Sequence, residues 1–264
     1  MLRIAFVAVC GCIGALLRIW LPYEFNGLGV EASAVGAFAL TFLIGFRNSS
    51  AYERWWEARK TWSILSDNLR NFCVKFVTWF QPSQEERQEC HRLATAFAFA
   101  LRDHLQDSAD LSKVPGFASE VDRPKHVPAY LAKKIQQLLI SIGPERRKEP
   151  LALVIMDPHV RSLMEVCGAC ERIKTTPIST SYRALLRHGM FYYLAFASIF
   201  VIWDLGLVAL PAVMVPAYFL IGIELVAESV EEPFGRLSDD LPLDTLCLSI
   251  SRSTAEILGV KVDT

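Results

Sequence analysis

The sequence predicts an all-α membrane protein with four transmembrane helices and a helical domain in the cytoplasm. Three observations carry that expectation. Four charge-free apolar runs lie towards the two ends of the chain: Ile4 to Leu17, Ala32 to Phe46, Gly189 to Trp203 and Leu205 to Ile223. The stretch between them is charged, yet keeps the three- and four-residue spacing of amphipathic helices. Composition also suits two solvents, because 52% of the 264 residues are hydrophobic while 21% are charged, with a mean hydropathy of +0.30.

A spanning helix needs about 20 mostly apolar residues. Only the run from Leu205 reaches that length unaided; the others draw on their flanks. Arg3, Arg18, Glu31 and Arg47 stand at segment ends, where long side chains reach back to the interface. The first run begins behind a single Arg, as a signal peptide would. LPYEFNGLG and a second apolar run come after it, rather than a small-residue cleavage pattern and a polar mature start, so it reads as a span. Four buried helices of a soluble core are the alternative, disfavoured by the nearly unbroken apolar stretch from 189 to 223.

Orientation follows from lysine and arginine, which mark the cytoplasmic side. Arg47, Arg54, Arg59 and Lys60 follow the second run, and Arg172, Lys174, Arg183 and Arg187 precede the third. Residues 1–46 and 189–223 are therefore expected in the membrane. Residues 47–188 and the C-terminal segment 224–264 are expected in the cytoplasm, with both termini on that side.

Between Pro22 and Pro82 there is no proline, and Trp62, Leu65, Leu69, Phe72, Phe76 and Phe80 form one apolar stripe. Ala32 to Phe80 reads as a single helix of roughly 70 Å at about 1.5 Å per residue. A hydrocarbon core is about 30 Å thick, so more than half of that helix projects into the cytoplasm. Pro82 ends it. Ser83 and Glu86 then have capping-box spacing, starting a helix through about Leu105. Asp107 to Pro128 reads as a loop, and Tyr130 to Ile142 and Val160 to Ile173 as helices separated by GPERRKEP.

Chemistry is sparse. A net charge of -1 and a pI near 6.5 leave no basic footprint for nucleic acid. The seven cysteines sit in apolar or helical patterns and read as reduced and structural; Cys167 and Cys170 form a CxxC without the second pair that a zinc pattern needs. His91, His104, His126, His159 and His188 show no ligand spacing and read as surface or interface residues. Ser179, Thr180 and Ser181 have no histidine nearby in sequence to act as a base. With no nucleotide, metalloprotease or hydrolase motif, neither an enzyme nor a cofactor is expected. AESVEEPFGRLSDDLPLD, Ala227 to Asp244, reads as a solvated helix end and a capped turn, with Asp239 a cap for the segment after Pro242; a cation site is the sharper alternative.

Phe38, Phe42 and Phe46 share one face of the second run, interleaved with Gly36, Ala37, Ala39 and Gly45. By periodicity alone, packing is the first reading of such a stripe. In a symmetric ring it would instead form stacked apolar collars, of the kind that gate by dewetting.

Three stretches taken together, GFRNSSAYERWWEARKTW from Gly45, ACERIKTTPI from Ala169 and AESVEEPFG with DDLPLD at the end, resemble the bestrophin family and its prokaryotic branch in particular. The resemblance implies a homopentameric ion channel in the inner (plasma) membrane of a prokaryote. It implies five copies of the second helix lining a narrow neck, with Phe38, Phe42 and Phe46 as the neck collars, in place of packing, and Ile178 at a cytoplasmic aperture. The partners implied are monovalent ions, membrane lipid and further copies of the chain. Chloride is the family's best-known ion, and cation selectivity is possible in the bacterial branch. Trp55 and Trp56 are then expected in interfacial and intersubunit packing. Family members carry an amphipathic stretch before the first span, which here begins almost at Met1, and animal members hold calcium after the Pro-Phe-Gly turn. Arg236 and Leu237 interrupt the acidic run here, so no metal is assigned. A non-conducting membrane scaffold or sensor is the alternative function.

Overall fold

The computed structural model describes residues 2–20, 28–143, 146 and 151–261. Residues 21–27 of the LPYEFNGLG connection, most of GPERRKEP and the reach of the Arg3 side chain lie outside the described residues. The described chain is helical: α1 (Leu2–Trp20), α2 (Leu28–Trp79), α3 (Gln84–Leu105), α4 (Val127–Ser141), α5 (Ala152–Thr175), α6 (Thr180–Leu205), α7 (Leu210–Val230) and α8 (Leu243–Leu258). Two compact units divide it. One comprises Met1–Arg54 and Pro177–Glu231; the other comprises Trp55–Thr176 and Glu232–Thr264.

In the first unit Val7 of α1, Leu40 and Ile44 of α2, Met190, Leu194 and Ile202 of α6 and Val213, Ala217 and Ile221 of α7 share a core. Close approach of α1 to α6 depends on Gly14, where a Cβ would lie 2.5 Å from the Ile199 carbonyl oxygen. Small residues at such crossings let helix backbones meet, which matters most where no hydrophobic effect drives helices together. The outward surfaces are apolar too, with Val9, Leu16, Val35, Val215 and Phe219 exposed. Three helices among the described residues are long and apolar enough to cross a membrane, beginning at Val30, Thr180 and Leu210, and Ala5–Trp20 is a shorter apolar helix.

The second unit is built on the stripe visible in the sequence. Trp62, Leu65, Leu69, Phe72, Phe76 and Phe80 are all buried, and each large apolar side chain so buried is worth about 1.5–3 kcal/mol. They pack with Leu93, Phe97 and Leu101 of α3, Leu131 and Ile135 of α4, and Leu163 and Cys167 of α5. The Ser83 hydroxyl accepts from Glu86 N while the Glu86 carboxylate accepts from Ser83 N, completing the capping box.

Three expectations need correction. α5 begins at Ala152, upstream of the expected Val160, because Ala152 and Met156 continue the buried face through Pro158 to Val160 and Leu163. α8 has no counterpart among the expected helices, although Leu243, Cys247, Ile250, Thr254 and Leu258 give it a buried stripe. Asp239 does not cap α8, which starts at Leu243 after Pro242 without a side-chain cap. Asp239 instead accepts from Trp55 Nε1 through its backbone oxygen at 3.2 Å, and Asp240 takes the turn's N–H, from Leu237 at 2.6 Å.

Candidate functional site

α2 presents two different faces in the first unit. Ser33, Leu40, Ile44, Arg47 and Ala51 point inward and are buried, whereas Phe38, Phe42 and Phe46 are 78%, 61% and 54% exposed. Neither packing within this chain nor any polar requirement accounts for three exposed phenylalanines in register. Phe42 and Phe46 meet edge to face with centroids 4.6 Å apart, so each steadies the other's rotamer. Ile178 lies in the short connection between α5 and α6, half-buried.

Directly after Phe46 the inward face changes from apolar to ionic. Arg47 is fully buried, and does not reach back to an interface as its place at the end of an apolar run suggested. Its Nε donates to Glu224 Oε2 at 2.9 Å and its Nη1 to Glu231 Oε2 at 3.2 Å. Arg54 Nε donates to the Glu231 backbone oxygen at 2.8 Å. From α6, Arg183 lies 3.5 Å from Glu231 and Arg187 lies 2.8 Å from Glu228 and 3.9 Å from Glu224. Glu231, expected in a solvated helix end, is therefore interior at 1% exposed, as is Glu224 before that stretch. Removing such charges from water is costly unless they are paired, so the network ties α2, α6 and α7 together immediately beyond the aromatic stripe.

The acidic turn borders a half-open cavity of about 440 Å³ lined by residues that include Arg102, Asp103, Asp240 and Asp244. Its carboxylates are already engaged, Asp103 and Asp244 by Arg102 and Asp240 by the Leu237 N–H. Arg236 turns to Gln106 and Ser108.

The histidines are less scattered than their spacing suggested. His91 pairs with Thr254 and His159 with Asn68, while His104 and His126 both reach Glu171 Oε1, at 2.7 and 3.0 Å. Burial raises the Glu171 carboxyl, but hydrogen bonds from both histidines outweigh it and hold the group below its ordinary value. Cys167 lies against the same carboxylate. Burial pushes the Cys167 and Cys170 thiols up to about 12, which leaves them poor nucleophiles without a further ligand.

Apolar helices long enough for a bilayer, an aromatic stripe turned outward and a buried ionic layer beneath it define a helical membrane protein. The chain belongs to the bestrophin family: the family model described as Bacterial/Fungal Bestrophin protein matches residues 1–256. It is 28% identical over 261 residues to a voltage-dependent anion channel-forming protein of Mesorhizobium japonicum, covering 96% of this chain and 83% of that one. It is 27% identical over 241 residues to the voltage-dependent anion channel-forming protein YneE of Escherichia coli K12, covering 87% and 78%. The fold is that of a bacterial bestrophin homologue from Klebsiella pneumoniae, with a TM-score of 0.88, 20% identity and 99% of each chain covered.

Proposed function

We propose that this chain is the subunit of a homopentameric ion channel that passes small monovalent ions, anions first among them. The carrying observation is the stripe Phe38, Phe42 and Phe46, exposed on an apolar helix whose opposite face is the chain's own core. Five such stripes around an axis make three stacked apolar collars, which exclude water when closed and conduct when widened. Ile178 forms the second constriction, on the cytoplasmic side. Four helices cross the inner membrane within residues 1–46 and 189–223, residues 47–188 and 224–264 are cytoplasmic, and both termini face the cytoplasm.

Two relatives named for anion channel formation support the anion class. The collars themselves carry no formal charge, so selection between ion signs falls to helix dipoles and to the ionic surfaces beyond them. Liposome flux or planar-bilayer recording on purified protein tests the reading. Conductance is expected in the wild type, with a reversal potential in a chloride gradient near the chloride equilibrium value, and increased conductance in Phe38→Ala, Phe42→Ala and Phe46→Ala. A reversal potential on the cation side reassigns the ion class. No conductance in the wild type or in any of the three variants leaves a membrane scaffold or sensor and sinks the channel.

A further inference from the structure

We propose that His104, His126, Cys167 and Glu171 form a binding site for a borderline-soft divalent transition ion of the zinc type. The four come from three elements, the last turn of α3, the residue capping α4 and one turn of α5, and their ligand atoms all lie within 4.8 Å of one another. The donor set, two imidazole nitrogens, one sulfur and one carboxylate oxygen, suits zinc or cobalt rather than calcium or magnesium, which take oxygen ligands. Cys167 is buried, while the two histidines and Glu171 are partly open to solvent, so an ion has a route in.

The hydrogen bonds already present show how an ion would enter. His126 Nδ1 accepts the Ala129 N–H at 3.1 Å; Nε2 therefore carries the ring proton and donates it to Glu171 Oε1. His104 Nε2 donates to the same oxygen. One carboxylate oxygen thus sits between two N–H groups and a thiol, where a cation would replace the protons. A tetrahedral ion at about 2.0–2.3 Å from each ligand separates its donors by about 3.3–3.8 Å. Glu171 must accordingly withdraw slightly from the two nitrogens, and the most distant donors must close in. Cys167 gives up its proton as the metal–sulfur bond forms. On both histidines the Nε2 lone pair turns to the ion and the ring proton moves to Nδ1; on His126 that releases the Ala129 N–H at the first turn of α4. Occupancy is thereby coupled to the start of that helix.

Cobalt(II) added alone to chelator-stripped full-length protein in detergent reads the site directly. The expected result is one ion per chain, with tetrahedral d–d absorption and a thiolate-to-cobalt charge-transfer band, both bleached by zinc. Cys167→Ser removes the charge-transfer band, Glu171→Gln and His104→Gln weaken zinc binding by about tenfold or more, and Cys170→Ser, one helical turn away, leaves the spectrum unchanged. Absence of the charge-transfer band in the wild type, or its persistence in Cys167→Ser, overturns the proposal. The wild-type spectrum decides even where a substitution of buried Cys167 prevents folding, and none of these readouts depends on whether the protein conducts.

Discussion

Arg47 concentrates the physical tension of the first unit in one side chain. It is fully buried, its Nη2 has no hydrogen-bond partner among the described residues, and it neutralises two interior carboxylates whose second oxygens make no hydrogen bond there and face only the more distant Arg183 and Arg187. Removing one partner of such a set strands the others. Arg47→Gln is expected to cost about 3–5 kcal/mol, measured by denaturant unfolding in detergent. Arg161→Gln, which breaks the exposed i,i+4 pair with Asp157, is expected to cost no more than about 0.5 kcal/mol. Adding Glu224→Gln to Arg47→Gln should recover part of the loss, because it removes one orphaned charge; strict additivity of the two single losses would refute the coupling. The burial of Arg47 was not legible in the sequence. A lone Arg after an apolar run reads as an interface residue, and its partners stand 177 and 184 positions away. The meeting of His104 and His126 at Glu171 was hidden for the same reason, since those contacts span 67 and 45 positions.

At the scale of elements, what was legible was local. The α2 stripe repeats within the reach of helical periodicity, and the capping box needs only residues 83 to 86, so both could be read directly. α8 carries an equally regular stripe, but the carboxylates and prolines ahead of it dominate the local pattern and mark a turn. Ser83→Ala is expected to cost about 1 kcal/mol, seen as a lowered unfolding midpoint. Glu86 adds a pH dependence. The Arg146 guanidinium, hydrogen-bonded to both carboxylate oxygens, holds the carboxyl below its ordinary value of 4.5 against the opposing effect of burial, with help from Ser83. A carboxyl depressed in the folded state contributes stability that is fully present above its unfolded pKa and lost as pH falls through the folded one. Glu86→Gln should therefore destabilise at pH 7 and converge on the wild type as the pH falls below about 4.5; a constant difference across that window would remove the linkage. The α1–α6 crossing supplies the steric counterpart. Gly14→Ala places a Cβ against the Ile199 backbone and should cost about 1–3 kcal/mol. In Gly168→Ala the new Cβ meets nothing within 4 Å, so it should stabilise by about 0.5–1 kcal/mol; equal effects would show that the crossing is loose.

For the whole molecule, fivefold repetition would change what a single substitution means. Each phenylalanine becomes a ring, so Phe42→Ala removes five side chains from one level of the proposed neck. The assembly should have a protein mass near five times 29.6 kDa in detergent. Mass alone does not distinguish a ring around one pore from a cluster of separate pores, but mixing does. Wild-type and Phe42→Ala chains, co-expressed and purified as mixed assemblies, should give a ladder of single-channel conductances between the two pure types, because every copy borders the same constriction and each truncation widens it in part. If each chain carried its own pathway, the same preparation would show only the two parental conductances, in proportions that follow the expression ratio. That second pattern would leave the exposed stripe to lipid or to contact between subunits, and would refute a shared neck even in a protein that conducts.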